Sequence, residues 1–250
     1  MNDHYIREQV RKIKVFLQDR YKINVNNYEN VDSYFSVSLS SIFSTKIWLE
    51  LTNQNEIFSL FLKEIISNAN QILLLPLLGF KIPSYIMVRR NLEHFVVALY
   101  YKDHKIEFLT KEYDLHHKNY LRIAELKNYL ERFPFEGYYS GVDCDQLRNI
   151  VKKLLKIWTE LYQDLSNYVH GTSSKYLEIT EFIDDIKFDS QFLKELEAII
   201  ARMTSIINAM NIIFWFQVYK TLHEDKKSLI RKSIENIGIK KEILAVLSEI

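Results

Sequence analysis

Apolar residues recur every three or four positions along most of this chain, the spacing of helices that bury one face. Ile6, Val10, Ile13, Phe16 and Leu17 predict a first helix from about Asp3 to Tyr21. After the Asn-rich stretch Lys22 to Asn30, a second carries Tyr34, Val37, Leu39, Ile42 and Ile47 to Leu51, with Asp32 or Ser33 as its cap. A third, capped by Asn53, runs through Phe58, Phe61, Ile65 and Ile66 into Leu75. Pro76 ends it, because proline lacks an amide donor and clashes with the preceding turn. Pro83 suits the first turn of a fourth helix that reaches about Asp103. A long charged helix follows from Ile106 to Arg132, then a break from Phe133 to Asp145 that holds Pro134, Gly137 and Gly141. The sixth helix starts near Asp145 and stops at Gly171. Thr172 to Asp189 reads as irregular, with a short extended piece from Tyr176 to Phe182. A very apolar helix over Ser190 to Leu222 and two short helices complete the chain.

This pattern predicts an all-α fold, a helical bundle of about eight or nine helices. Five glycines and three prolines are too few for a strand meander, and 48% hydrophobic residues over 250 positions suffice for a sizeable core. No repeat, low-complexity tract or long linker divides the chain, so 1–250 reads as one domain, with the Phe133–Asp145 loop as a crossover.

Charge and cysteine usage narrow the function classes. Lys+Arg number 33 against 32 Asp+Glu, which argues against wholesale coating of a duplex or an anionic membrane and leaves room for a local basic site. Cys144 stands alone, which excludes an internal disulfide and a Cys-rich zinc site. The opening MNDHYIREQVRKIK lacks an apolar stretch after its charges, so no signal peptide is expected. The apolar runs Ile72 to Phe80 and Ile206 to Val218 fall short of the roughly 20 residues a spanning helix needs, and Asn208 and Asn211 interrupt the second. Buried core helices, a cytoplasmic location and no membrane partner are therefore expected.

Two segments carry candidate chemistry. In the fourth helix, Val88, Leu92, Phe95, Val96 and Leu99 form the stripe that faces the core, while Arg89, Arg90, Glu93 and His94 cluster beside it. Arg89 and Glu93 have the spacing of an i,i+4 ion pair. In the sixth helix, Trp158, Leu161, Leu165 and Val169 form the apolar stripe, and Tyr162, Ser166 and His170 share another. His170 lies in the last turn, where the helix dipole favours a cation and an imidazole can cap orphan carbonyls.

Together, Arg90-Asn-Leu-Glu93 and Tyr162-Gln-Asp-Leu-Ser166-Asn167-Tyr-Val169-His170-Gly171 resemble the HEPN superfamily, and within it a bacterial branch of abortive-infection and toxin type. The resemblance covers roughly 83–176. It implies a HEPN-like core at about 54–171 with the C-terminal helices 190–250 packed on it. It also implies a metal-independent endoribonuclease acting as a toxin or antiphage effector, with RNA as substrate, a homodimer as the active form, and an antitoxin or sensor protein as partner. His170 would be the general acid/base, Arg90 the phosphate clamp, and Glu93 the group that orients either of them. Arg89, His94, Tyr162, Ser166 and Asn167 would play supporting parts. Those residue types suit the chemistry: 2′-OH attack needs a proton acceptor titrating near neutrality and a permanent cation beside the phosphate.

The chain departs from the superfamily's ribonuclease pattern at one point. That pattern places an arginine, a polar residue and a histidine in one segment, and here Ser166 stands where the arginine would precede Asn167. Arg89-Arg-Asn-Leu-Glu-His94 has the spacing, but in mid-helix. The alternative is a non-catalytic module binding a nucleotide, an RNA or a partner protein, with the same polar residues pinning helices together. The adjacent pair His116-His117 diverges by about 100° on a helix and makes a poor chelate. Phe214, Trp215, Phe216 and Tyr219 suit a core or a dimer interface better than base stacking. No Gly-rich phosphate loop, HExxH or GxSxG occurs, and neither a metal nor a cofactor is expected.

Overall fold

Short polar side chains set the starts of several helices, and the buried stripes set how the helices pack. The computed structural model describes residues 3–113 and 122–247, and among these the regular structure is all helical. α1 spans Asp3–Tyr21, α2 Val31–Leu51, α3 Glu56–Ile72 and α4 Lys81–Tyr101. α5 (Lys105–Tyr113) and α6 (Ile123–Glu131) precede the long α7 (Cys144–His170). α8 (Ser190–Phe214), α9 (Phe216–Lys220), α10 (Glu224–Lys232) and α11 (Ile237–Leu247) complete the eleven α-helices of the described residues.

The caps explain several boundaries. Asn55, two residues after the expected Asn53, accepts the Phe58 amide at 2.9 Å and starts α3. Asp143 does the same for α7 through Gln146, and Asp189 for α8 through Gln191 and Phe192. α2 starts without a side-chain cap: Asn30 takes a left-handed backbone at φ 65°, while Ser33 hydrogen-bonds Glu197 and Asp32 pairs with Lys14. Gly171 ends α7 in the left-handed region at φ 55°. Pro76 sits in a 3₁₀ turn, Leu75–Leu78, closed by Gly79 at φ 83°. A Cβ on Gly79 would lie 2.6 Å from the Lys187 carbonyl oxygen, so the turn admits glycine there on both counts.

Three expected elements differ. The charged helix expected over Ile106 to Arg132 is not continuous, because Arg122 is extended at φ −77°, ψ 140° and α6 starts after it. His116 and His117 lie outside the described residues. The apolar helix expected to reach Leu222 stops at Phe214, since Trp215 leaves helical geometry at φ −127°, ψ 29°. The break sends three consecutive rings to separate places: Phe214 against Phe133 and Phe135, Trp215 against Phe58, and Phe216 against Tyr139. The segment expected to be extended at Tyr176 to Phe182 begins in a 3₁₀ turn, Ser174–Tyr176, and pairs with no strand among the described residues.

α4 and α8 are the central helices. α4 packs on α3, α7, α6 and α8, and α8 packs on α2, α7, α4 and α11. Val88, Leu92, Phe95, Val96 and Leu99 are fully buried, as their spacing requires. By length and composition α8 could cross a membrane, but 72% of its most apolar window is buried inside the protein.

Candidate functional site

α4 and α7 run antiparallel, and three contacts set their register. Tyr85 stacks on Tyr168 at 4.2 Å, Arg89 reaches Tyr162, and Trp158 Nε1 donates to the Leu92 carbonyl at 3.2 Å. Midway along this seam a polar triad closes on itself. Arg89 donates to the Tyr162 hydroxyl at 2.7 Å, Tyr162 donates to a Glu93 carboxylate oxygen at 2.7 Å, and Arg89 meets the same oxygen at 2.9 Å. The Arg89 guanidinium carbon also lies 4.9 Å from the Tyr162 ring centroid, and that ring stacks on Trp158. Burial pushes the Tyr162 hydroxyl above the usual phenol range, so it remains a neutral donor to Glu93.

The neighbouring arginine belongs to a different cluster. Arg90 pairs with Glu64 of α3, and His94 Nδ1 lies 3.7 Å from the other oxygen of that carboxylate, beyond hydrogen-bond reach. His94 packs edge-on against Phe61, and its buried Nδ1 has no hydrogen-bond partner. Burial pushes the His94 imidazole below its ordinary pKa, with Glu64 opposing. Beneath the pair, Asn91 is fully buried and accepts from Asn68 Nδ2 at 2.9 Å, fastening α3 to α4.

His170 is exposed at the end of α7, with no hydrogen bond or ion pair from its ring among the described residues. Ser166 donates back to the Tyr162 carbonyl at 2.7 Å. Asn167 caps the helix end through its carbonyl, which accepts from Gly171 and Thr172. Of the expected residues, the structure therefore unites Arg89, Glu93 and Tyr162, and separately Arg90 and His94. It does not bring Arg90 to His170. His170 follows Tyr168, which is level with Tyr85, so seven residues of register at about 1.5 Å each set it roughly 10 Å along the helix axes from Arg90. Glu93, expected to orient Arg90 or His170, instead holds Arg89 and Tyr162.

Sequence reasoning missed Glu64, whose partners lie on another helix. It also missed a buried cation. Lys102 Nζ meets Asp103 at 2.5 Å and sits 4.7 Å from the Phe133 ring, with Tyr138 and Trp215 around it. Asp103 accepts from Tyr129 at 2.9 Å, and burial lowers the Lys102 pKa against the pull of Asp103. A Lys-Asp pair at a helix end reads in sequence as solvated, and only the later aromatics enclose it. Comparison with protein-family models, with curated proteins and with solved structures finds no match to this chain.

Proposed function

We propose that this chain is a non-catalytic helical binding module, in which the motif residues fasten α3, α4 and α7. The observation that carries this reading is the separation of His170 from Arg90 along the helix axes, and each motif arginine also meets a carboxylate of the chain itself. Arg89 is held by Glu93 and Tyr162, and Arg90 by Glu64. Metal-independent RNA cleavage needs a proton acceptor and an uncommitted cation at one phosphate. Here the candidate acid/base, His170, stands apart from both arginines. A metal-free endoribonuclease assay on the full chain should show no cleavage above that of the Arg90→Ala/His170→Ala variant. Cleavage that the double substitution abolishes overturns the reading.

A second reading draws on the motif resemblance and on one geometric fact. Both Arg90, with half of its side chain exposed, and His170 are open to solvent. In a HEPN-like homodimer a second copy would bring the missing group to each, giving an endoribonuclease of toxin or antiphage type. The same assay, run on a dimeric fraction, separates the two readings.

A further inference from the structure

Away from the α4–α7 seam, helices α1, α2, α8 and α10 line an open cavity of about 760 Å³, within the range of small-molecule sites. Val37, Ala201 and Leu229 contribute apolar surface to it. Its polar wall is fixed from behind. Ser36 Oγ donates to the Asp32 carbonyl at 2.7 Å, and Ser233 Oγ donates to the Ile230 carbonyl at 2.7 Å. Thr204 Oγ1 lies 2.7 Å from the Ile200 carbonyl and 2.8 Å from Ser41 Oγ. Behind Ser233, the fully buried Asn208 donates to its hydroxyl at 2.6 Å and accepts from Trp48 Nε1 at 2.7 Å. Hydroxyls whose protons are committed to backbone carbonyls can offer a ligand only lone pairs. At Ser36, Thr204 and Ser233 the wall therefore accepts hydrogen bonds, while the Ser40 and Ser228 hydroxyls on the same lining can donate as well as accept.

The charged residues on the lining differ from the motif arginines. Arg7 of α1, Lys232 of α10 and the Glu235 carboxylate make no ion pair or side-chain hydrogen bond among the described residues. Asp225 lies 3.5 Å from the His223 ring and makes no other ion pair there. Two uncommitted cations suit a phosphate, and two carboxylates beside acceptor hydroxyls suit a ligand rich in hydroxyl donors. Among the described residues no aromatic ring lines the cavity, so a nucleobase would find no stacking surface there.

We propose that this cavity binds a small phosphorylated polyol, with Arg7 and Lys232 taking the phosphate and Asp225, Glu235 and the wall hydroxyls accepting from its hydroxyls. This gives the binding-module reading its ligand and rests on that reading. Ribonuclease activity would end the module reading, whereas the titrations that follow bear on the ligand alone. The full chain is titrated with glycerol 3-phosphate, ribose 5-phosphate and glucose 6-phosphate, and with inorganic phosphate, ribose and AMP as controls. Calorimetry and tryptophan fluorescence, which Trp48 ties to the wall, are the readouts. At least one sugar or polyol phosphate should saturate a single site and bind more tightly than inorganic phosphate or ribose. Arg7→Ala/Lys232→Ala should weaken it by about tenfold or more, the loss of two charge-assisted contacts. Three results overturn the proposal: no saturable polyol phosphate, inorganic phosphate or AMP binding as tightly, or unchanged affinity in a double variant that melts like the parent.

Discussion

Arg89 and Arg90 are neighbours in sequence, yet they serve regions of the molecule with opposite physics. One helical step turns Arg89 into the α4–α7 seam, where its side chain is 19% exposed and a phenol and a carboxylate enclose it. The same step turns Arg90 onto the α3–α4 surface, where its side chain is 51% exposed and one carboxylate meets it. The difference teaches that the identity of a charged residue says little about its role until the helix facing it is known. Removing an arginine from the seam leaves a partly buried carboxylate with the Tyr162 phenol but no cation, whereas removing one from the surface returns its partner to solvent.

The largest expected effect is therefore that of Arg89→Ala. It leaves the Glu93 carboxylate half-buried and without its cation, and should cost roughly 2–3 kcal/mol of unfolding free energy. Tyr162→Phe, which removes the hydroxyl but keeps the ring on Trp158, should cost about half of that. Urea denaturation of the two variants and of Arg90→Ala measures all three. A loss for Arg89→Ala no greater than for Arg90→Ala would mean that the seam is wetter than its geometry indicates.

How much of this contrast was legible follows the range of each interaction. The core stripe of α4 and the Arg89–Glu93 pair are local, set by the 3.6-residue period, and could be read directly. So could the Gly171 stop, because the left-handed backbone there favours glycine. Tyr162 was singled out on its own helix, but its bridge to Arg89 and Glu93 depends on the α4–α7 register, which no local spacing encodes. Glu64 stayed hidden for the same reason, and the cavity more so, since its wall is assembled from four helices far apart in the chain. Trp215 failed to announce the end of α8 because apolar residues continue through it, and only the separate destinations of three rings require the bend.

A smaller effect tests the α3–α4 region by pH. Burial, foremost, depresses the His94 pKa, Arg90 adds to this, and Glu64 and Glu93 oppose it. The sign follows from proton uptake. Between the ordinary imidazole pKa of about 6.5 and the lower folded value, the unfolded chain binds a proton that the native one resists. Stability contributed by neutral His94 is thus present above about pH 6.5 and declines as pH falls through that window. His94→Gln should lose less stability than the parent between about pH 7 and pH 5.5 in matched melts. Equal losses would show that His94 is already accommodated as a cation, with Glu64 close enough to hold it.

The smallest effect concerns Arg90 and Glu64, and it decides whether the surface pair is structural at all. With 51% and 38% of their side chains exposed, the two charges attract through water and are screened over a Debye length of about 8 Å at physiological salt. A double-mutant cycle of Arg90→Ala and Glu64→Gln should give a coupling of about 0.2–1 kcal/mol at low salt, shrinking as salt rises. Such a value means that Arg90 can leave Glu64 at little cost, which is what a phosphate clamp in a two-copy nuclease would require. A coupling well above that range, unmoved by salt, would tie Arg90 to α3 as firmly as Arg89 is tied to α7. It would also remove the cation on which the nuclease reading depends.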